Sequence, residues 1–236
     1  KLGAISGAFL PLAVDENHSG LLFAHAEDKN AFGSSQLRIL KLAAALLSAG
    51  LEKTRLFEES QTRADDLVML NEVGRILVET PALEASLSQI AGLAQRQLRL
   101  AAAAFLLLDA SGVEMFVHGR SGAGTGSLDN LRVRLTETDL IVEALARREW
   151  VAIEDFEEKG VVDTCIRKAL PAIKSALALP MLATRGPVGV FLVMDDMTRH
   201  FPKRAIQRLR SVARLAASAV ERGELSQALK ASEAHL

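Results

Sequence analysis

"IKSALALPMLATRGPVGVFLVMDDMTRHF", residues 173–201, holds the reading on which the fold turns. Two apolar runs, 175–183 and 187–195, have strand length, and Arg185-Gly186-Pro187 separates them as a turn. Pro202 then opens a helix, since proline loses nothing in a first turn, where its N–H would have no partner. The stretch "ISGAFLPLAVDENHSGLLFAHAEDKNAF", residues 5–32, has the same grammar. Pro11 and Pro180 stand 169 positions apart, as do Leu10 and Leu179, Gly20 and Gly189, Phe32 and Phe201, Leu40 and Leu209, and Ala44 and Ala213. The offset runs without a gap from Ser6/Ser175 to Glu52/Glu221. That period is far too long for a solenoid and reads as tandem globular domains. The expectation is that 1–60 is the C-terminal part of a first domain with its exit helix, and 66–222 a complete second one.

Outward from the repeat lies a helical stretch, 34–80, that would link the domains. It contains no proline and only Gly50 and Gly74 as glycines. If unbroken it makes a rod of about 70 Å at 1.5 Å per residue. Leu40, Ala44, Leu47 and Leu51, then Leu67, Leu70 and Leu77, recur at spacings of three, four and seven, which return to one helix face. These positions are expected to form the seam of a parallel homodimer, because a helix whose middle, "EKTRLFEESQTRADD" (52–66), is so polar does not stand alone in water. Thr80 is expected to cap a helix over 81–98 with Pro81 at its first position.

Beyond it, "AAAAFLLLD" (101–109) reads as a buried strand, and the turn Asp109-Ala110-Ser111-Gly112 leads to a partner at 113–119. "GRSGAGTGS" (119–127) reads as a flexible loop, "LRVRL" as an edge strand, 138–148 as a helix and "WVAIED" as a short strand. A loose acidic loop and a helix near 161–172 precede the hairpin, and the last helix runs from Pro202 to the end. The order predicts an α/β (α+β) unit with a mainly antiparallel sheet, helices on both of its faces, and long connecting helices.

Three phrases carry a family resemblance: "LNEVGRILVETPALEASLSQIAGLAQRQLRLAAAAFLLLDASG" (70–112), "LIVEALARREWVAIEDF" (140–156) and "SALALPMLATRGPVGVFLVMDD" (175–196) with Phe201. In this order and spacing the chain resembles the GAF domain family over 66–222, with 1–60 similar to the tail of a preceding GAF domain. Residues 203–236 resemble the helical linker that leads to a PAS or output domain. The resemblance implies a sensory, non-catalytic segment of a signalling protein, such as a sensor histidine kinase of a two-component system or a cyclic-di-GMP enzyme. A ligandless dimerisation spacer is the alternative, and a GAF-type redox enzyme a weaker one.

Composition narrows the chemistry. With 28 basic and 29 acidic residues, nothing points to nucleic acid or an anionic membrane as partner. The most apolar run, 100–108, is too short to span a bilayer. Cys165 is the one cysteine, which rules out an intrachain disulfide framework and fits a reducing compartment, so a cytoplasmic location is expected. Bilin-binding relatives place a cysteine in this half of the domain and follow it with histidine; here Ile166 follows. Related reductases need more than one cysteine. The five histidines, 18, 25, 118, 200 and 235, show no metal-ligand spacing. The cyclic-nucleotide pattern of the family, Asn-Lys then Phe then Asp-Glu, is unmet by Asp28-Lys29-Asn30-Ala31-Phe32 and by Asp195, Asp196 and Phe201. Bilin, haem and cyclic nucleotide are therefore disfavoured, no metal or catalytic residue is assigned, and the cofactor is left unknown. "GAGTG" (122–126) lacks the ending of a P-loop, and Glu154, Asp155, Glu157 and Glu158 read as solvated loop charges.

The resemblance further implies a cavity between the sheet and the middle helices. Its expected lining is Phe105, Leu107, Met115, Val117, Ile153, Cys165, Ile166, Leu177, Leu179, Phe191 and Val193. So apolar a set suits a small, weakly polar or planar ligand.

Overall fold

The structure is a computed structural model and describes residues 6–13, 19–136, 140–158 and 165–233, with side chains described as far as residue 226. Expectations for 1–5, 14–18, 137–139, 159–164 and 234–236 lie outside the described residues. These include the start of the helix at 138–148, the start of the helix near 161–172 and the end of the last helix. The chain forms two compact units, divided in sequence between Leu67 and Val68.

In the first unit, β1 (Ser6–Ala13) and β2 (Ser19–Ala26) form an antiparallel pair. Alternate side chains leave opposite faces of a strand. Ala8 and Leu10 therefore share one face, where they are buried with Ala44 and backed by Leu12, Leu22, Phe32 and Leu40. Leu40 and Ala44 lie on α1 (Ser34–Glu79), within which the division between the units falls. Its polar middle is laced by Glu59, which accepts from Arg55 at 3.3 Å and from Arg63 at 2.6 Å, the two partners lying one turn to either side. Such pairs each add a few tenths of a kcal/mol to a helix, about 0.3–0.5.

The second unit takes the last turns of α1 and adds α2 (Leu83–Leu98), β3 (Ala102–Leu108), β4 (Glu114–Gly122), β5 (Arg132–Arg134), α3 (Leu140–Arg147), β6 (Val151–Ile153), α4 (Cys165–Ala169), β7 (Ser175–Ala183), β8 (Gly186–Asp195) and α5 (Lys203–Glu233). The sheet order is β5-β4-β3-β8-β7-β6, and every neighbouring pair is antiparallel. This is the α+β architecture expected.

Two local expectations are corrected. Thr80 does not cap α2. The helix starts at Leu83 after Ala82, which offers no side-chain cap, and the Ser86 hydroxyl donates instead to the Thr80 carbonyl at 2.8 Å. Residues 119–127 are not a loose loop: β4 continues to Gly122, and Thr125–Leu128 form a 3-10 turn with Thr125 and Leu128 buried. Glycine is needed at 119 for packing rather than looseness. A Cβ there would stand 2.5 Å from Leu87 Cβ, because α2 lies directly on the strand.

Each face of the sheet has its own core. On one, Phe105 and Leu107 of β3, Leu177 and Leu179 of β7, and Phe191 and Val193 of β8 are covered by α2, α5 and Met69, Val73 and Ile76 of α1. The Phe105 and Phe191 rings stack there at 4.2 Å between centroids. On the other, Ala104, Leu106, Ala176, Ala178, Val190 and Leu192 are covered by Ile141, Ala144 and Leu145 of α3 with Phe156 and Ile166. Full burial of one large apolar side chain is worth about 1.5–3 kcal/mol, so both layers are major contributors to the fold.

The 169-residue repeat holds at the level of single hydrogen bonds. Ser6 pairs with Ala26 and Leu12 with Gly20, as Ser175 pairs with Asp195 and Met181 with Gly189, and the register agrees at each pair between. The Ser6 hydroxyl donates to the Asp28 carbonyl at 2.7 Å; the Ser175 hydroxyl donates to that of Met197 at 2.7 Å. Both α1 and α5 begin at equivalent positions, Ser34 and Lys203.

Candidate functional site

The sheet face under α3 is the candidate site. Its floor is unusual in side-chain size: Ala102 and Ala104 from β3 and Ala176 and Ala178 from β7 are all fully buried, with Leu106, Val190, Leu192 and Met194 among them. Alanine on a central strand keeps the floor low and lets the roof approach. The roof consists of Leu140, Ile141, Ala144 and Leu145 on α3, where apolar residues at spacings of three and four turn one face inward. The walls are Met115 on β4, Val133 on β5, Ile153 on β6, Phe156 and Ile166. Arg167 places its guanidinium 5.9 Å from the centre of the Phe156 ring.

Polar groups in and beside this layer satisfy one another. Thr125 donates to the Gly122 carbonyl at 2.9 Å, and Ser175 to Met197 as described. Asp195, buried at the end of β8, pairs with Arg199, which also donates to the carbonyls of Leu98 at 2.8 Å and Arg99 at 3.2 Å. That arginine fastens the end of α2 to the end of β8. Among the described residues the layer is lined almost wholly by apolar side chains, with the Cys165 thiol partly buried at its margin.

The structure divides the eleven expected lining residues. Met115, Val117, Ile153, Cys165 and Ile166 belong to the face under α3, with Val117 and Cys165 half-buried. Phe105, Leu107, Leu177, Leu179, Phe191 and Val193 point the other way, into the core under α2 and α5. Six of the eleven cannot line the same cavity as the other five, because a strand sends neighbouring side chains to opposite faces. Their places are taken by Ala104, Leu106, Ala176, Ala178, Val190 and Leu192. Parity relative to Met115 could have found them, once β3 was known to pair with both β4 and β8.

The seven expected seam positions also divide. Leu40 and Ala44 pack on the first hairpin. Leu70 and Leu77 are partly buried against the core under α2 and α5. Leu47, Leu51 and Leu67 are exposed.

Two surface depressions lie elsewhere in the second unit. One, of about 360 Å³, is bordered by Glu84, Ser88, His118, Arg120 and Asp129. Its polar groups pair internally, the His118 ring with Glu84 at 3.4 Å and Arg120 with both Asp129 oxygens at 2.5 Å. The other, of about 840 Å³, lies between the 109–112 turn, the 185–188 turn and Glu224. In the 109–112 turn the Ser111 hydroxyl and the Glu114 and Val113 amides hold the Asp109 carboxyl down at about 2. Beside the 185–188 turn the amides of Thr184 and Arg185 donate to Glu221 of α5, each at 3.2 Å, and hold that carboxyl below the usual range. Among the described residues no group of three His, Cys, Asp or Glu could hold a metal ion, and no helix is long and apolar enough to cross a membrane.

A family model described as the GAF domain matches residues 82–221. Among curated proteins none matches the chain significantly. Among solved structures, the chain is similar to the GAF domain of an Acinetobacter phosphoenolpyruvate-protein phosphotransferase, at TM-score 0.59 and 17% identity over 69% of this chain and 96% of that one. It is similar to the GAF domain of a putative sensor histidine kinase from Pseudomonas syringae pv. tomato, at 0.53 and 22% over 74% and 99%. A free methionine-R-sulfoxide reductase from Neisseria meningitidis, solved in complex with its substrate, matches at 0.57 and 15% over 67% and 89%. At these identities the likeness is one of fold.

Proposed function

The chain belongs to the GAF domain family through residues 82–221, and from that premise we propose that its second unit is a non-catalytic sensory module. It takes a small, weakly polar ligand in the layer under α3 and relays occupancy through helices to a partner domain. One observation carries this reading. The sheet that floors the candidate site is the same sheet against which α5 and the end of α1 pack on its reverse face. Ala178 and Leu192 face the site, while their neighbours Leu177, Leu179, Phe191 and Val193 face the helices. A shift of β7 or β8 by a ligand must therefore be taken up by the packing of α5, because close-packed layers do not absorb displacement. Glu221 adds a second tie, since it holds the β7–β8 turn to α5.

Two copies would associate in parallel through α1 and α5, with Leu47, Leu51 and Leu67 among the exposed apolar positions available. A coupling of about 1–3 kcal/mol between ligand and helix pairing suffices for regulation. The sensor-kinase and phosphotransferase domains of the same fold support a regulatory setting. The reductase of that fold supports its capacity to house a small molecule.

The test begins with a thermal-shift screen of small apolar and planar compounds. A specific binder at one hundred times its Kd adds about 2.7 kcal/mol. Ala178→Leu, which raises the floor of the site, should abolish the shift. With ligand bound, amide exchange along 203–226 should change. Binding with no change on α5 would sink the relay, and a monomer by sedimentation at high concentration would sink the parallel dimer.

A further inference from the structure

We propose that the open face and both edges of the β1–β2 hairpin are the docking surface for a strand-and-helix segment patterned like residues 83–169, carried ahead of β1 by the same polypeptide. The argument starts from the repeat. Because β1, β2 and the start of α1 match β7, β8 and the start of α5 in register and in individual hydrogen bonds, each position in the first unit has a counterpart whose surroundings are known. Ala8, Leu10 and Ala44 correspond to Leu177, Leu179 and Ala213, and all six are buried where the helix that follows packs on the hairpin. Phe9, Leu21 and Phe23 correspond to Ala178, Val190 and Leu192, which are fully buried under α3. In the first unit these three are 66%, 60% and 48% exposed, with the Phe9 and Phe23 rings stacked at 4.6 Å. A face this apolar on a two-stranded sheet is a binding surface, and a lone hairpin is marginal in water.

Gly20 is the independent observation. Its counterpart Gly189 must be glycine, since a Cβ there would lie 2.1 Å from the Leu106 carbonyl oxygen on β3. At Gly20 the nearest atom is Leu12 Cβ at 3.5 Å, so nothing within the hairpin demands glycine. A strand laid beside β2 as β3 lies beside β8 would demand it. By the same correspondence β1 takes a neighbour in the manner of β6 beside β7. One continuous segment supplies both neighbours and the covering helix in the second unit, and it precedes the hairpin in sequence. A second copy of the hairpin fits less well, because two-fold pairing joins like edge to like edge and leaves the other edge open.

The experiment compares residues 1–236 with the natural polypeptide extended on the N-terminal side of β1. Amide exchange of Ser6–Ala13 and Ser19–Ala26 should slow at least tenfold in the extended protein. Gly20→Ala should leave exchange unchanged in 1–236 and return it to the fast regime in the extended protein. Phe23→Asp should do the same in the extended protein without altering the oligomeric state of 1–236. Equal exchange in both proteins, a harmless Gly20→Ala in the extended one, or loss of self-association of 1–236 on Phe23→Asp would each overturn the proposal, the last by making a second copy the occupant.

Discussion

Arg199 shows how much of the second unit hangs on one side chain. Asp195 is buried, and its charge is tolerable because the guanidinium pairs with it while the remaining donors meet the last carbonyls of α2. Arg199→Ala would leave a buried carboxylate and two carbonyls without these donors. The arginine side chain is 32% exposed, so water offsets part of the loss, and we expect about 2 kcal/mol by urea unfolding. Asp109 sets a different signature. Folding lowers its pKa from the usual 3.8 to about 2, chiefly through the Ser111 hydroxyl and then the Glu114 amide. Between those values the unfolded chain holds more protons than the folded one, so the contribution is intact above about pH 4 and is lost as pH falls toward 2. Urea midpoints at pH 5, 3 and 2 should show Asp109→Asn with a shallower acid limb than the parent protein.

Among the elements, α1 is the least committed to its own cores. Between Leu47 and Val68 no apolar side chain is buried, and the helix rests on propensity and on pairs such as Arg63–Glu59. Gly50 and Gly74 sit inside it with open space where a Cβ would go. Each costs roughly 0.5–1 kcal/mol relative to alanine. Gly50→Ala and Gly74→Ala should raise helicity by circular dichroism and the melting temperature of the unit each lies in. A loss on either change would mean that a partner's backbone approaches there. The sheet behaves in the opposite way: β3, β7 and β8 are buried on both faces, so nearly every residue in them is constrained by packing.

At the scale of the molecule, the second unit covers both faces of its sheet with its own residues, 68–236. That segment should fold alone, with a melting temperature within a few degrees of the same transition in the whole chain. A collapse of the isolated segment would show that its stability is borrowed from residues 1–67. Among the described residues the first unit buries one face of its hairpin only. Its transition should be the broader and the earlier one by calorimetry.

The sequence by itself determined the element order, the antiparallel hairpin at 175–195 and the repeat that ties it to 6–26. These depend on local signals: turn glycines, strand-length apolar runs, and a proline where a helix begins. Which face of each strand looks at the candidate site was decided only by the tertiary structure. In "SALALPML" every residue is apolar or small, so alternation leaves no trace of inside and outside when both sides are inside. Leu177 and Ala178 are chemically alike in that setting, and only the packing of α5 on one side and α3 on the other tells them apart. The same holds for Thr80, a good cap by type that is displaced because the chain turns two residues later, and for Gly119, whose freedom is spent on the close approach of α2.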